Sequence, residues 1–286
     1  MVLLLVSGSA FAGSLQPTAA PGPTMKPLSA IEPRVSVQSL SGSATSMYVI
    51  SESGSYYLTA NINADPNKNG IEITCDNVTV DLKGFSINGA GKSVGSTGSG
   101  IRAYDINQIT IQNGFIGHFR DRGINAESSI NLTVENVVVE DCYYGIYGGM
   151  NCTIQKCKSS DNTTTGIYAG QGLITGCSSY NNAVTGIYAS TGCTISNNVV
   201  YNNREGIKVS SGCYIHHNNI SGSSLGAGIK AHNDFNVIEN NIVTGCYYGL
   251  DLNENESLYL NNRLGSNGID YYNENYSTDG GGNIEF

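Results

Sequence analysis

Tryptophan is absent from the 286-residue chain, phenylalanine occurs only 6 times, and 13% of the residues are charged. Lysine and arginine total 14 against 23 aspartates and glutamates, a formal net charge of −9. A protein that neutralises phosphates needs a basic face, so this balance excludes nucleic acid as a partner. After Ala12 no apolar run approaches the ~20 residues that a membrane helix needs, so no membrane span is expected. Proline is scarce and uneven: Pro17, Pro21, Pro23, Pro27 and Pro33 precede Val35, and only Pro66 follows. The low charge does not signal disorder, because 40% of the residues are hydrophobic.

Glycine, in contrast, occurs 36 times, asparagine almost as often, and tyrosine 18 times. Glycine and asparagine disfavour helix interiors, which excludes an all-α fold. Many tight turns joined by short strands remain. The apolar run Val2 to Val6 and the small-x-small triplet Ala10-Phe11-Ala12 read as a signal peptide over residues 1–12, although no basic residues precede the run. The expected location is outside the cytoplasm: extracellular, at the cell surface or in the periplasm. Residues 13–34 read as a proline-rich leader that can form neither ladder nor helix. Residues 35–69 are expected to form cap strands and to break the period that follows.

That period is the dominant signal. Gly-Ile or Gly-Leu pairs begin at Gly70, Gly100, Gly123, Gly145, Gly166, Gly186, Gly206, Gly228, Gly249 and Gly268, spaced 30, 23, 22, 21, 20, 20, 22, 21 and 19 residues. A second set of apolar anchors interleaves: Val80, Ile111, Val134, Ile154, Ile174, Ile195, Ile215, Ile238 and Leu260. Each repeat thus holds two or three alternating strands too short to bury a core alone. Stacking copies in parallel solves this, which predicts an all-β, right-handed single-stranded parallel β-helix of about ten coils over residues 70–272. The hand follows from the rule for parallel crossovers. Leucine-rich repeats share the period, but their leucine pattern is absent.

Asparagine pairs mark the turns: Asn181-Asn182, Asn197-Asn198, Asn202-Asn203, Asn218-Asn219, Asn240-Asn241 and Asn261-Asn262. Asparagine tolerates left-handed backbone, and its amide can bond the next coil. Asn198 and Asn241 share one register, so an asparagine ladder is expected. The Asn77-Val78-Thr79 and Asn131-Leu132-Thr133 triplets are read as part of it rather than as glycosylation sites. Of the eight cysteines, Cys157 with Cys177 and Cys193 with Cys213 fall in matching inward positions on adjacent coils. They are expected as reduced stacks, with those two pairs the only ones that could bridge.

The tandem Gly-Ile, Asn-x-Thr-Ile and Asn-Asn pattern resembles the pectate-lyase-like right-handed β-helix repeat family, which includes carbohydrate-binding, sugar-hydrolase and NosD-like proteins. The resemblance covers roughly residues 23–270 and implies a polysaccharide partner. The leader from Pro23 to Arg34 resembles those of secreted bacterial members. Family signatures of particular chemistries are missing: no Asn-Thr-Asp, no Asp-Asp pair, no His-Gly, and Asp65-Pro66 is followed by Asn67 rather than histidine.

The residue after each inward anchor points outward. That column reads Glu72, Arg102, Asn125, Tyr147, Tyr168, Tyr188, Lys208, Lys230, Asp251 and Asp270. A flat row of Tyr147, Tyr168 and Tyr188, with Arg102, suits the apolar faces of sugar rings. Lys208, Lys230, His232 and Asp251, with Asp234 and Glu205 nearby, are the catalytic candidates. The family resemblance suggests uronate chemistry for them: cations neutralising a carboxylate while a base takes the C5 proton. The alternative is a Lys230–Asp251 surface ion pair, and the net charge of −9 opposes an acidic substrate. The two function classes are therefore a polysaccharide-binding protein acting by β-elimination, and a non-catalytic structural or adhesion rod.

A second patch comprises His118, Arg120, Asp121 and Arg122 beside the loop from Gly89 to Gly100. No cofactor is implied, and no cluster of aspartates indicates calcium. His216 and His217, as strand neighbours, are expected on opposite faces and so not on one metal ion. The polar, glycine-rich tail of residues 273–286 promises only a weak end cap, with self-association through that end a further expectation.

Overall fold

The computed structural model describes residues 34–91, 97–252 and 256–286. The expected signal peptide, and the leader apart from Arg34, lie outside the described residues. From Val35 onward the chain winds as a parallel β-solenoid. One sheet contains 11 strands and a second contains 21, all described pairings being parallel. Each coil gives one strand to the first sheet, such as Thr185–Ala189, and commonly two to the second, such as Thr194–Ser196 and Val199–Tyr201. Eleven rungs in the first sheet exceed the expected ten by one.

The Gly-Ile repeat is explained by what lies inside. Ile71, Ile101, Ile124, Ile146, Ile167, Ile187, Ile207, Ile229 and Leu250 are paired rung to rung and completely buried. Full burial of each such side chain contributes about 1.5–3 kcal/mol. The glycine before the isoleucine sits where no side chain fits. A Cβ at Gly166 would lie 2.3 Å from Ser179 Oγ and 2.8 Å from the Gly186 carbonyl oxygen.

The Asn-Asn pairs divide two tasks. The first member turns the chain in the left-handed region, as at Asn181, Asn197, Asn202, Asn240 and Asn261, where φ lies between 53° and 56°. The second member is buried and bonds the next coil; in Asn218-Asn219 the pattern is shifted by one, with His217 in the left-handed turn (φ 56°), Asn218 buried in the ladder and Asn219 exposed. Asn198 Nδ2 donates to Asn218 Oδ1 (2.9 Å), Asn218 to Asn241 (3.0 Å), Asn241 to Asn262 (3.0 Å) and Asn262 to Asn283 (3.2 Å). A shorter run joins Asn162, Asn182 and Asn203. Asn77 and Asn131 are not ladder members. Both are exposed turn residues, with φ of 62° and 61°.

Both ends differ from expectation. Residues 35–69 do not break the period: Ser46–Ile50 pairs with Asn69–Ile73, placing Tyr48 over Ile71, and Val35–Ser36 pairs with Tyr56-Tyr57. Residues 278–279 and 284–285 also join the second sheet, and Asn283 extends the asparagine ladder. Two anchors near that end shift from their expected positions. Leu250 stacks on Tyr271, not Ile269, because the coil keeps its 21-residue period. Ile238 stacks on Tyr259, not Leu260. A one-residue slip turns every side chain of a strand to the other face, which is why Tyr259 is buried. Ile269, Ile284 and Phe286 remain about half exposed, at 46%, 51% and 62%.

All eight cysteines are free thiols. Those on the stacked pairs are buried, and the backbone N–H of Cys193 lies 3.5 Å from Cys213 Sγ. Burial pushes the Cys152 thiol up to about 12, so it stays protonated and packs as a small apolar group.

Candidate functional site, the tyrosine-bearing face

The outward column of the first sheet runs as the sequence orders it from Glu72 to Asp251. Arg102, Asn125, Tyr147, Tyr168, Tyr188, Lys208, Lys230 and Asp251 are direct partners on successive rungs. Asp270 is not its next member. Tyr272 stacks on Asp251, and the Asp270 carboxylate instead accepts from Asn267 Nδ2 at 2.8 Å.

The three tyrosines are half-buried and interlocked, but they do not make a flat row. Tyr147 and Tyr168 stack with centroids 4.2 Å apart and planes 20° apart. Tyr168 and Tyr188 meet edge to face at 84°. The Arg122 guanidinium lies 4.6 Å from the Tyr147 ring centre, and Lys208 Nζ lies 5.4 Å from that of Tyr188. Cations at both ends hold the rings by their negative faces. Grooves flank the strip. One of about 530 Å³ is lined by Glu127, Tyr147, Met150, Tyr168, Gln171 and Ser190, among others. The other, of about 250 Å³, is lined by Tyr144, Tyr147, Tyr168, Tyr188, Glu205 and Lys208, among others.

The catalytic candidates are not gathered in either groove. Lys208 lines the smaller one and leans over Tyr188. Lys230 Nζ is 2.9 Å from Asp251 Oδ2, and the Asp251 side chain is only 5% exposed. The two lysines are therefore not an unrelieved like-charge pair. His232 is exposed beyond the end of strand Ala227–Ala231.

The second patch is split. His118 Nδ1 is 3.0 Å from Asp141 Oδ2, whereas Arg122 stays with Asp121 (3.6 Å), bonds Glu127 at 3.1 Å and supports Tyr147. This role of Arg122 was not visible in the sequence, since it depends on the neighbouring rung. His216 and His217 do not point to opposite faces. His217 takes φ 56°, which swings its ring back, and the two Nδ1 atoms are 2.9 Å apart. Among the described residues, no group of three or more His, Cys, Asp or Glu side chains could hold a metal ion.

Burial, above all, raises the Tyr147 and Tyr168 phenols above their ordinary range, and it pushes Tyr271 up to about 12. In the unfolded chain these phenols ionise near pH ~10. The unfolded state then binds fewer protons than the folded one, so stability falls as pH rises past that point. We expect the contribution of these phenols to stability to be fully present below pH ~10 and to be lost progressively between about 10 and 12, read as a falling melting temperature by circular dichroism alongside tyrosinate absorbance. A melting temperature unchanged across that window would contradict the burial of these phenols.

Residues 147–284 match the family model described as a right handed beta helix region. The chain is a right-handed parallel β-helix. No curated protein sequence matches it. Among solved structures, the β-helix is similar to the periplasmic alginate epimerase AlgG, at 12% identity and a TM-score of 0.60, over 83% of this chain and 76% of that one. It is also similar to the A-module of a mannuronan C-5 epimerase from Azotobacter vinelandii, at 13% identity and a TM-score of 0.53, over 88% of each chain. The Dettilon tailspike protein matches at 16% identity and a TM-score of 0.53, over 84% of this chain; the β-helix spans 57% of that longer protein. At such identities the likeness is one of fold. No helix among the described residues of the β-helix is long and apolar enough to cross a membrane.

Proposed function

We propose that the protein binds polysaccharide along the tyrosine-bearing face of the first sheet, outside the cytoplasm. The observation that carries this reading is the placement of Tyr147, Tyr168 and Tyr188 on three successive rungs, with an open groove on either side. Their rings offer apolar faces, their hydroxyls offer polar tips, and half-burial holds them in place, so little order has to be created on binding. The epimerases among the similar structures, which are named for alginate and mannuronan, support a saccharide partner. The Ala10-Phe11-Ala12 triplet supports export.

Binding is favoured over β-elimination. Lys230 is neutralised by Asp251, and Lys208 is engaged with Tyr188, which leaves the proposed carboxylate site without a dedicated cation pair. The test is a glycan array followed by calorimetry on the best ligand. Exchanging Tyr147 and Tyr168 together for alanine is expected to weaken binding at least 100-fold, with the coils still folded. Unchanged binding would leave the tyrosines as a shield over the strands and favour the structural-rod alternative.

A further inference from the structure

A second recess lies on the same face, on the rungs immediately before the tyrosines. It has a volume of about 280 Å³, and its lining includes Asn69, Ser99, Arg102, Asp121 and Asn125. Arg102 and Asn125 belong to the outward column, and Asn125 is the direct partner of Tyr147, so the recess continues the strip.

Its polar groups are unevenly committed. Asn69 is fully used: its Oδ1 accepts from the Ser99 N–H at 2.9 Å, and its Nδ2 donates to Ser46 Oγ at 3.0 Å and to the Thr45 carbonyl at 3.2 Å. Asp121 Oδ2 accepts from Ser99 Oγ at 2.8 Å and its Oδ1 lies 3.6 Å from Arg122 Nη1, which together fix the carboxylate. Arg102 reaches Glu72 only at 3.4 Å. Asn125 is 5% exposed, yet its Oδ1 has no hydrogen-bond partner among the described residues. A buried acceptor left unmade is costly, so this atom marks a place for a donor from outside the chain.

The mixture selects the ligand. A carboxylate would be drawn by Arg102 but would face the Asp121 carboxylate and the Asn125 carbonyl. A cation would face Arg102. A pair of adjacent hydroxyls suits all three, because each hydroxyl both donates and accepts. One hydroxyl can donate to Asn125 Oδ1 and its neighbour to Asp121, while Arg102 donates to either. The volume is at the small end for ligand sites, fitting one ring rather than several. We infer that this recess is a subsite for a single neutral sugar residue, held by a vicinal diol at one end of the tyrosine strip. The inference rests on the proposed polysaccharide binding and narrows it to glycans with uncharged residues.

The probes are gluco- and manno-hexasaccharides, their mono-deoxy analogues, and hexasaccharides of mannuronate and galacturonate, titrated into the full chain by calorimetry. The neutral hexamers are expected to bind at least tenfold more tightly than the uronates. Asn125→Leu and the more conservative Asp121→Asn should each lower neutral-hexamer affinity about tenfold, with melting temperatures recorded for both. Removing the hydroxyl that contacts Asn125 should cost the wild type about tenfold and Asn125→Leu nothing, a coupling that a merely structural asparagine would not show. If the wild type binds a neutral hexamer and both variants retain full affinity, the recess is only hydrated and the inference fails while the tyrosine strip stands. Preference for uronates would also overturn it. If no saccharide binds the wild type, both readings fall.

Discussion

Replacing Gly186 with valine is expected to unfold the middle of the β-helix at temperatures that leave the wild type intact. The reason is the packing behind the Gly-Ile pair. A Cβ at Gly186 would stand 2.6 Å from Val200 Cγ1, 2.7 Å from Asn203 Nδ2 and 2.8 Å from the Gly206 carbonyl oxygen. One of those neighbours is backbone of the next rung and another is an asparagine-ladder amide, so none can yield without disturbing a second coil. Overpacking a core costs about 1–3 kcal/mol and occasionally more, and valine adds two further carbons. We expect at least ~3 kcal/mol, or a fall of about 10 °C in melting temperature. Gly212 provides the contrast. It has φ 62° and nothing within 4 Å of a hypothetical Cβ, so Gly212→Asn should be nearly neutral. Equal effects at the two positions would refute the account of why this glycine recurs.

The asparagine ladder should prove equally exacting. Asn218 Oδ1 accepts from both the backbone N–H of Asn198 at 3.0 Å and its Nδ2 at 2.9 Å. Asn218 Nδ2 donates in turn to Asn241 Oδ1 and to the Ile195 carbonyl. Leucine in place of Asn218 keeps the branched shape, though it is bulkier, and strands two buried donors, each costing about 1–3 kcal/mol. The expected loss is therefore about 2–6 kcal/mol, concentrated in the flanking coils because repeats contact mainly their neighbours. Hydrogen exchange resolves this: protection should drop around Asn198 and Asn241 while the coil containing Ile124 is spared. Asn202 makes a similar bond to Asn181 Oδ1 at 2.7 Å but in an exposed position. Asn202→Gly keeps the left-handed turn and should cost little. A uniform loss of protection in Asn218→Leu, or none, would contradict the ladder's role.

Both predictions arise from features legible in the sequence, and the limits of that legibility are physical. Between Gly70 and Leu250 the spacing of Gly-Ile pairs alone sets the outward column, because parallel rungs at fixed register leave no freedom in which side chains align. At the far end the same motif misleads. Gly268-Ile269 looks like an anchor, yet the coil continues to Tyr271 and Tyr272 before it comes into register. At the near end Met47-Tyr48 lacks the motif altogether but forms a full rung, since its neighbour Ile71 supplies the register. Side-chain direction after a turn was equally hidden: His217 swings back toward His216 only because its φ is positive. The polar recess could not be read either. Its lining runs from Thr45 to Asn125 across several coils, and the uncommitted Asn125 carbonyl is visible only once every neighbour's bonds are assigned.

The central claim is that a saccharide chain lies along the column, rung by rung, from Arg102 to Lys208. Those six rungs span about 24 Å at ~4.8 Å each. The most direct test is the affinity of a neutral oligosaccharide series, from monomer to decamer, followed by tyrosine fluorescence, which no tryptophan obscures. The account predicts affinity that climbs with each added residue until the strip is covered and then levels off, with the gain abolished in Tyr147→Ala/Tyr168→Ala. Affinity that is independent of length, or a length dependence that survives the loss of both tyrosines, would contradict it.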